Sequence, residues 1–454
     1  MKQKLTIKEY IYVASMLFGL FFGAGNLIFP VRMGQMAGAN VLPAILGFLI
    51  TGVGLPLLGV AALGISRSTG LYELSGKVDR RYGLVFTCLL YLTIGPFFAI
   101  PRCATTSFTV GIESILPEGT NLRLWLFLFS ALFFGAALLF SLFPGKILTW
   151  VGKILNPLFL IFLGVLVIVA LTSATAGIST VAPEGNYALH PFPTGFLEGY
   201  NTMDALASLA FGIVVVQAIR NLGVTDAGAV AGSTVRAGVF SCLFMALIYI
   251  AVTLIGALSR SVFPTAENGG IALAQLAEYH LGKAGLLILA ATVTLACLKT
   301  SVGLITSCSE TFAELFPHGP KYRVWAVIFS LASFLFANLG LDRIISYSVP
   351  VLMFLYPLAI TLIVLALFGR RFGNDREVYL WVTGLTLIGA LYDLLCALPQ
   401  GIRSSLHLDG FLSAVADVVP LASLGLAWLC PALIGLVIGI CRHLIKKSAE
   451  RTTL

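Results

Sequence analysis

The chain has 454 residues, of which 58% are hydrophobic and only 11% are charged, whereas about 25% of the residues of a typical soluble domain are charged. This composition excludes a soluble protein and indicates an all-α polytopic membrane protein, because the alternating segments of about 10 residues that a transmembrane barrel needs are missing. The formal net charge of +8 does not indicate nucleic-acid binding, since the basic residues lie in short loops and form no stripe.

Apolar segments bounded by charged or Pro- and Gly-rich turns predict about twelve transmembrane helices. Their approximate limits are 9–31, 41–66, 83–112, 122–143, 147–172, 198–220, 235–259, 283–309, 323–341, 344–368, 378–398 and 416–441. An even number of spans places both termini on one side of the membrane. Of the 28 Lys and Arg residues, 20 fall on that side, 6 on the other and 2 within spans. Because Lys and Arg concentrate in cytoplasmic loops, we expect both termini in the cytoplasm.

The first span is the most unusual stretch of the sequence. Residues 10–31 carry no charge and are long enough to cross a bilayer, yet Gly19, Gly23, Gly25 and Asn26 interrupt them. Glycine costs roughly 1 kcal/mol relative to alanine inside a helix, and freed backbone is tolerated within a membrane only where it is buried in protein or lines a cavity. The glycines therefore indicate either a broken helix at a binding site or a surface for close helix packing.

The sixth span carries a second interruption. It opens with Glu198, Asn201 and Asp204 and reaches small residues and Gly212 near mid-depth. Corresponding interruptions in the two halves of a membrane protein are typical of inverted-repeat transporters. We therefore predict a first five-helix repeat at 1–172, a second at 173–368, and two additional helices with a C-terminal tail at 369–454.

Three other functional classes lack their sequence signatures. The chain has no GxSxG, no HExxH and no convincing pair of catalytic acids within its spans, which argues against an intramembrane enzyme. It also lacks the repeated rings of like residues that line channels and the GxxxxGK(S/T) loop of a nucleotide-driven pump. The eight cysteines are scattered without a CxxC pair, so we interpret them as small hydrophobic residues and expect no covalent cofactor.

The sequence also carries a family resemblance. The run Gly23-Ala24-Gly25-Asn26-Leu27-Ile28-Phe29-Pro30 resembles the broken first helix of the LeuT-type five-plus-five transporters. The wider stretch 15–30, together with 203–212 and 296–305, resembles the bacterial branched-chain amino acid:cation symporters of the BrnQ type, and this similarity extends essentially from end to end. It implies a LeuT-like inverted repeat with helices 1 and 6 broken.

The resemblance implies a secondary transporter in the bacterial inner (plasma) membrane that imports leucine, isoleucine and valine by cation symport, usually with sodium. Freed backbone in helices 1 and 6 would hold the amino and carboxylate groups of the substrate, since helix N-termini suit anions. Phe211 would enclose the aliphatic side chain. The substrate-binding residues implied in this way are Phe21, Phe22, Gly23, Ala24, Gly25, Asn26, Ser208, Leu209, Ala210, Phe211 and Gly212.

The resemblance also implies one sodium site between the first and eighth helices. The implied ligands are the carbonyls of Gly19, Phe22 and Cys297 and the hydroxyls of Thr300 and Ser301, which are the oxygens that hard cations prefer. Alternatively, the two hydroxyls bond only to carbonyls of their own helix. A second sodium site of this fold would use Asn26 and a hydroxyl at position 206, but Leu206 has no side-chain oxygen. Asn26 instead braces the unwound backbone in this interpretation.

Three charged residues at membrane depth are candidates for coupling or gating. Lys299 faces away from the two hydroxyls of its helix, and it is a counter-charge to an acid such as Asp204, a titrating group for proton-coupled symport, or a side chain that reaches the inner surface. Asp204 pairs with Lys299 or caps its half-helix. Arg102 gates the outer side of the pathway or extends to the outer headgroups.

Overall fold

The computed structural model describes residues 4–66, 68, 70–117, 119–142, 156–172 and 177–452, and these residues form helices and turns without a β-strand. The start of the predicted fifth span, 147–155, lies outside them. The first α-helices are α1 (Ile7–Phe21), α2 (Gly25–Ala37), α3 (Val41–Leu49), α4 (Leu55–Ser66), α5 (Leu71–Ser75), α6 (Arg80–Leu92), α7 (Ala99–Ser107), α8 (Leu122–Leu142), α9 (Asn156–Thr172) and α10 (Pro191–Glu198). The later ones are α11 (Asp204–Asn221), α12 (Ala227–Ser259), α13 (Gly269–Leu315), α14 (Tyr322–Ala337), α15 (Leu341–Phe368), α16 (Arg376–Ala397), α17 (Gln400–Ser405), α18 (Asp409–Val418) and α19 (Leu429–Thr452).

Helices that are long and apolar enough to cross a membrane dominate the described chain. Eight of them qualify, and α11 adds a ninth when its two segments, which meet at 42°, count as one span. The shorter apolar helices Leu160–Thr172 and Tyr322–Ala337 lie where the fifth and ninth spans are predicted. The first predicted span is divided between α1 and α2. The expected all-α polytopic membrane fold is therefore confirmed.

The predicted start of the twelfth span is wrong. Instead of one helix from residue 416, the chain has the separate helix α18 and then begins α19 at Leu429. Between these helices Leu421 and Gly425 adopt positive φ angles of 65° and 71°, a conformation that a right-handed helix cannot contain. The apolar composition of 416–428 concealed this turn, because hydropathy reports burial rather than backbone direction.

Two further breaks shape the helices around the centre of the molecule. The predicted third span contains Gly95, with φ −89° and ψ −123°, followed by Pro96, so that α6 and α7 are joined by a distorted turn. Helix α13 contains Gly282 with φ +65°, which separates a first segment, 269–281, from the apolar segment 283–315. The predicted outer connection at 260–282 therefore consists largely of helix.

Close backbone packing joins α2 to α12. A Cβ atom added to Gly34 of α2 would collide with the carbonyl oxygen of Thr253, and one added to Gly256 of α12 would collide with the carbonyl oxygen of Val31. Small residues let membrane helices approach in this way, because lipid provides no hydrophobic force to hold them together. The second half of the broken first helix is thereby fixed against α12.

Polar contacts join the ends of several helices on the side where the chain begins. Asp375 caps α16 by accepting from the backbone N–H of Glu377 at 3.0 Å, and its other oxygen contacts Nδ1 of His443 at 2.7 Å. The His443 hydrogen bond lowers the pKa of Asp375. Next to it, Arg376 pairs with Asp79 at 2.6 Å. These contacts connect α16 with α19 and with the start of α6.

We expect Gly256→Ala to lower the thermal unfolding temperature of the purified protein in detergent. The added methyl group would overlap the backbone of α2, and such overpacking costs about 1–3 kcal/mol. Gly232→Ala is the matched control on the same helix, because nothing lies within 4 Å of the added Cβ. Equal unfolding temperatures for the two variants would contradict the packing described here.

Candidate functional site

The first helix is broken where the sequence predicts it. Helix α1 ends at Phe21 and α2 begins at Gly25, and Phe22 has an extended conformation with φ −73° and ψ 100°. The side chain of Asn26 replaces a lost helical partner, because its Oδ1 accepts from the backbone N–H of Gly23 at 2.8 Å. The predicted brace of the unwound backbone is thus observed. The N-terminus of α2 has no side-chain cap, since Ala24 stands at the N-cap.

The break in the sixth helix is real, but it lies earlier than the resemblance implies. Helix α10 ends at Glu198, residues 199–202 form a short 3₁₀ turn, and Met203 has a left-handed conformation with φ 63° before α11 begins. The side chain of Thr202 accepts from the N–H of Asp204 at 3.3 Å. The helix therefore starts again at Asp204.

The predicted unwinding at residues 208–212 is wrong, since these residues lie within α11. Ser208 donates to the carbonyl of Ala205 at 2.6 Å, inside its own helix. A Cβ atom on Gly212 would collide with the side chain of Leu63. This glycine therefore serves close packing against α4, and the helix bends by 42° just after it.

A small central cavity of about 30 Å³ lies between the two breaks. Helices α1, α2, α7, α11 and α13 all contribute to its wall. Of the predicted substrate-binding residues, those that line it are Phe21, Gly23, Ala24, Gly25, Asn26 and Phe211. Those outside its wall are Phe22, Ser208, Leu209, Ala210 and Gly212. The cavity has room for a water molecule, so a larger molecule enters only if the helices move apart.

A buried polar cluster forms one wall of this cavity. Asp204 Oδ2 accepts from Asn26 Nδ2 at 2.6 Å and from the hydroxyl of Tyr249 at 2.7 Å, and Asn26 Nδ2 also contacts that hydroxyl. The cluster links the break in the first helix to α11 and α12. Tyr249 is not identifiable as a functional residue from the sequence, because a single tyrosine within an apolar span carries no pattern that distinguishes it from a packing residue.

Arg102 also lines the central cavity. Its side chain is only 3% exposed, so the expectation that it extends to the outer headgroups is wrong. One guanidinium nitrogen, Nη1, donates to the carbonyl of Asn201 in the break of the sixth helix at 2.7 Å. The guanidinium also lies 5.0 Å from the ring centre of Phe29. Arg102 thereby joins α7 to both broken helices.

Of the two hydroxyls expected at the sodium site, that of Thr300 contacts the first break. Thr300 Oγ1 lies 3.3 Å from the carbonyl oxygen of Phe22 and 3.2 Å from that of Ala296. Ser301 Oγ is fully buried and finds no hydrogen-bond partner among the described residues. Gly19 and Cys297 are buried one helical turn before Phe22 and Thr300, respectively. Oxygen atoms from both helices therefore meet at this point.

Lys299 occupies a different surface of α13. It is 8% exposed and does not line the central cavity. The suggested pairing with Asp204 is wrong, because the carboxylate of Asp204 is engaged by Asn26 and Tyr249 and forms no salt bridge with Lys299. The depth of Lys299 in the membrane remains the reason to regard this lysine as a functional candidate.

The two sides of the central cavity differ. Towards the side where the chain begins, a larger cavity of about 1160 Å³ extends to Tyr91, whose hydroxyl donates to the carbonyl of Ala210 at 3.2 Å. On the other side, Arg32 of α2 donates to the carbonyls of Ala266 and Glu267. Tyr91 thus connects the wall of the larger cavity to α11, and Arg32 joins α2 to the connection before α13 on the other side.

Solved structures of two transporters share this architecture. Mhp1, a nucleobase-cation-symport-1 family transporter, matches with a TM-score of 0.58 at 17% identity, over 95% of this chain and 91% of Mhp1. MhsT in complex with L-phenylalanine matches with a TM-score of 0.57 at 17% identity, over 98% and 99% of the two chains. These similarities confirm the LeuT-like fold.

Relatives of known name share much more of the sequence. The chain is 50% identical to the branched-chain amino acid permease BrnQ of Lactobacillus delbrueckii subsp. lactis, over 99% of this chain and 100% of the permease. It is 42% identical to the branched-chain amino acid permease BraB of Bacillus subtilis (strain 168), over 97% and 96% of the two chains. The family model described as branched-chain amino acid transport protein matches residues 6–446. The chain therefore belongs to the branched-chain amino acid transport protein family and is a transporter rather than an enzyme.

Proposed function

We propose that the protein imports leucine, isoleucine and valine together with sodium. The single observation that carries the substrate site is the meeting of two helix N-termini, those of α2 and α11, at one central cavity. Unpaired N–H groups and the positive end of the helix dipole favour a carboxylate at such a point. The names of the relatives, all branched-chain amino acid permeases or carriers, support the choice of substrates.

The substrate site in this proposal comprises the predicted residues that line the cavity. Gly23, Ala24 and Gly25 offer backbone groups to the amino acid head group, and Asn26 holds this backbone in place. Phe21 and Phe211 offer apolar surface to the aliphatic side chain. One methylene group changes binding by only about 1–3 kcal/mol in an apolar pocket, so one site accepts all three substrates.

Sodium binds, in this proposal, between α13 and the end of α1. Thr300 Oγ1 and the carbonyl oxygen of Phe22 lie 3.3 Å apart, and the buried Ser301 hydroxyl on the same helix, which has no hydrogen-bond partner among the described residues, fits a ligand role. The carbonyls of Gly19 and Cys297 would bring the number of oxygen ligands to five, and hard cations prefer such oxygens. The segment Phe22–Ala24 would then touch both ion and substrate.

The orientation and the internal repeats belong to the same proposal. We expect both termini in the cytoplasm and the protein in the bacterial inner membrane, because the Lys and Arg residues are concentrated on the side of the termini. The larger cavity that reaches Tyr91 would then face the cytoplasm. The two five-helix repeats would occupy 1–172 and 173–368, with 369–454 added.

The proposal is tested by uptake of labelled leucine into proteoliposomes. We expect an inward sodium gradient to drive accumulation, with an inward pH gradient at equal sodium giving none. Unlabelled isoleucine and valine should compete, and lysine should not. Accumulation driven by the pH gradient alone would overturn sodium as the coupling ion and leave the substrates intact.

Replacing both hydroxyls at the proposed ion site tests it directly. We expect Thr300→Ala with Ser301→Ala to raise the sodium concentration for half-maximal leucine uptake by roughly tenfold or more, because each lost ligand weakens cation binding. Thr292→Ala is the control on the same helix, since its hydroxyl bonds to the carbonyl of Ile288 at 2.8 Å. An unchanged sodium dependence in the double variant would remove this site from the proposal.

The depth and burial of Lys299 favour a second candidate function, proton-coupled import of the same substrates. In that case a proton exchanges at the Lys299 amine during the cycle. Lys299→Gln should then flatten the pH dependence of leucine uptake, while Lys283→Gln, at an exposed position of the same helix, leaves it unchanged. A pH profile in Lys299→Gln that matches the wild type would exclude this role.

A further inference from the structure

Arg102 is a buried cation that forms no salt bridge with a carboxylate of the described residues. Its guanidinium lies in the wall of the central cavity. Its Nε is buried and finds no hydrogen-bond partner in the described part of the chain. A buried charge is costly unless it is paired and hydrogen bonded, so an anion bound in this cavity would stabilise the guanidinium.

The surroundings of Arg102 leave its charge only partly compensated. The carbonyl of Asn201 accepts one hydrogen bond at 2.7 Å, and the ring of Phe29 lies 5.0 Å from the guanidinium carbon. Gly25 makes room for the guanidinium, because a Cβ atom there would lie 2.8 Å from Nη2. A guanidinium offers five N–H donors in a planar fork that matches a carboxylate, and only some of them are used here.

The same cavity is also lined by an acid. Asp204 presents a carboxyl group that Asn26 and Tyr249 hold in place, and it lines the cavity together with Arg102. Among the described lining residues, Arg102 is the one cation and Asp204 the one acid. An α-amino acid carries one ammonium and one carboxylate on adjacent atoms, so its head group matches this arrangement.

We propose that Arg102 binds the α-carboxylate of the transported amino acid, with Asp204 accepting from its ammonium group. This inference rests on the proposed function and adds a side-chain determinant to a site otherwise described by backbone groups. In this arrangement Arg102 Nη1 keeps its hydrogen bond to the carbonyl of Asn201. Nε and Nη2 donate two charge-assisted hydrogen bonds to the substrate carboxylate. The carboxylate therefore ties α7 to the break of the sixth helix, and a molecule without a carboxylate leaves the buried guanidinium unpaired.

The test compares leucine with leucinamide, which keeps the ammonium and the side chain but lacks the carboxylate. Purified protein is measured for displacement of labelled leucine in sodium-containing buffer. We expect wild-type protein to bind leucine roughly 10- to 100-fold more tightly than leucinamide, the effect of a hydrogen bond to a charged group. The Arg102→Gln variant should lose most of its affinity for leucine but keep its affinity for leucinamide. It should therefore bind leucine and leucinamide with similar affinity.

Two further variants test whether the preference for leucine depends on the Arg102 guanidinium. Arg32→Gln is the matched control, because Arg32 also donates to backbone carbonyls but lies outside the cavity, and it should keep the preference for leucine. Arg102→Lys should retain part of it. Equal loss of both ligands in Arg102→Gln, or a wild type that does not distinguish them, overturns the inference. A wild type that binds no leucine at all overturns the proposed function instead.

Discussion

Backbone that leaves a helix inside a membrane must find its partners within the protein, and this constraint organises the centre of the molecule. At Phe22–Ala24 the regular ladder stops, and the amide of Asn26 takes over one lost bond at Gly23. The same amide donates to Asp204, at the start of the second broken helix. One side chain thus stabilises one break and connects it to the other, which explains why a polar residue occurs in an otherwise apolar span.

The sequence predicts the position of the first break but misplaces the second, for a physical reason. Gly23, Gly25 and Asn26 indicate the first break. Glycine and asparagine have low helix propensity, and the asparagine side chain can hydrogen bond to free backbone groups. The second depends on Met203, which adopts φ 63° without being glycine. No glycine marks this position, so local composition indicated Gly212 instead, where a Cβ atom would collide with Leu63.

For the charged residues within the spans, the sequence predicts which residues are unusual but not which partners they have. Depth alone identified Arg102, Asp204 and Lys299 as unusual, because a charge at the centre of a helix is expensive. Their partners depend on how four different helices pack, which spacing along one helix cannot reveal. The chain brings Arg102 and Asp204 to one cavity and leaves Lys299 on another surface of α13. Hydropathy predicted the apolar spans well, but it missed the turn before α19, where positive φ angles end an apolar stretch.

Coupling between ion and substrate requires that each changes the free energy of binding the other, and the effect is reciprocal. The short segment Phe22–Ala24 offers a physical route in the mechanism proposed here. Thr300 contacts the carbonyl of Phe22 and packs against Gly23, while Gly23 and Ala24 line the central cavity. An ion that orders this segment has already reduced its conformational entropy. A substrate that binds on the opposite side of the segment therefore loses less conformational entropy on binding. Because the segment is three residues long, neither ligand can rearrange it without affecting the other.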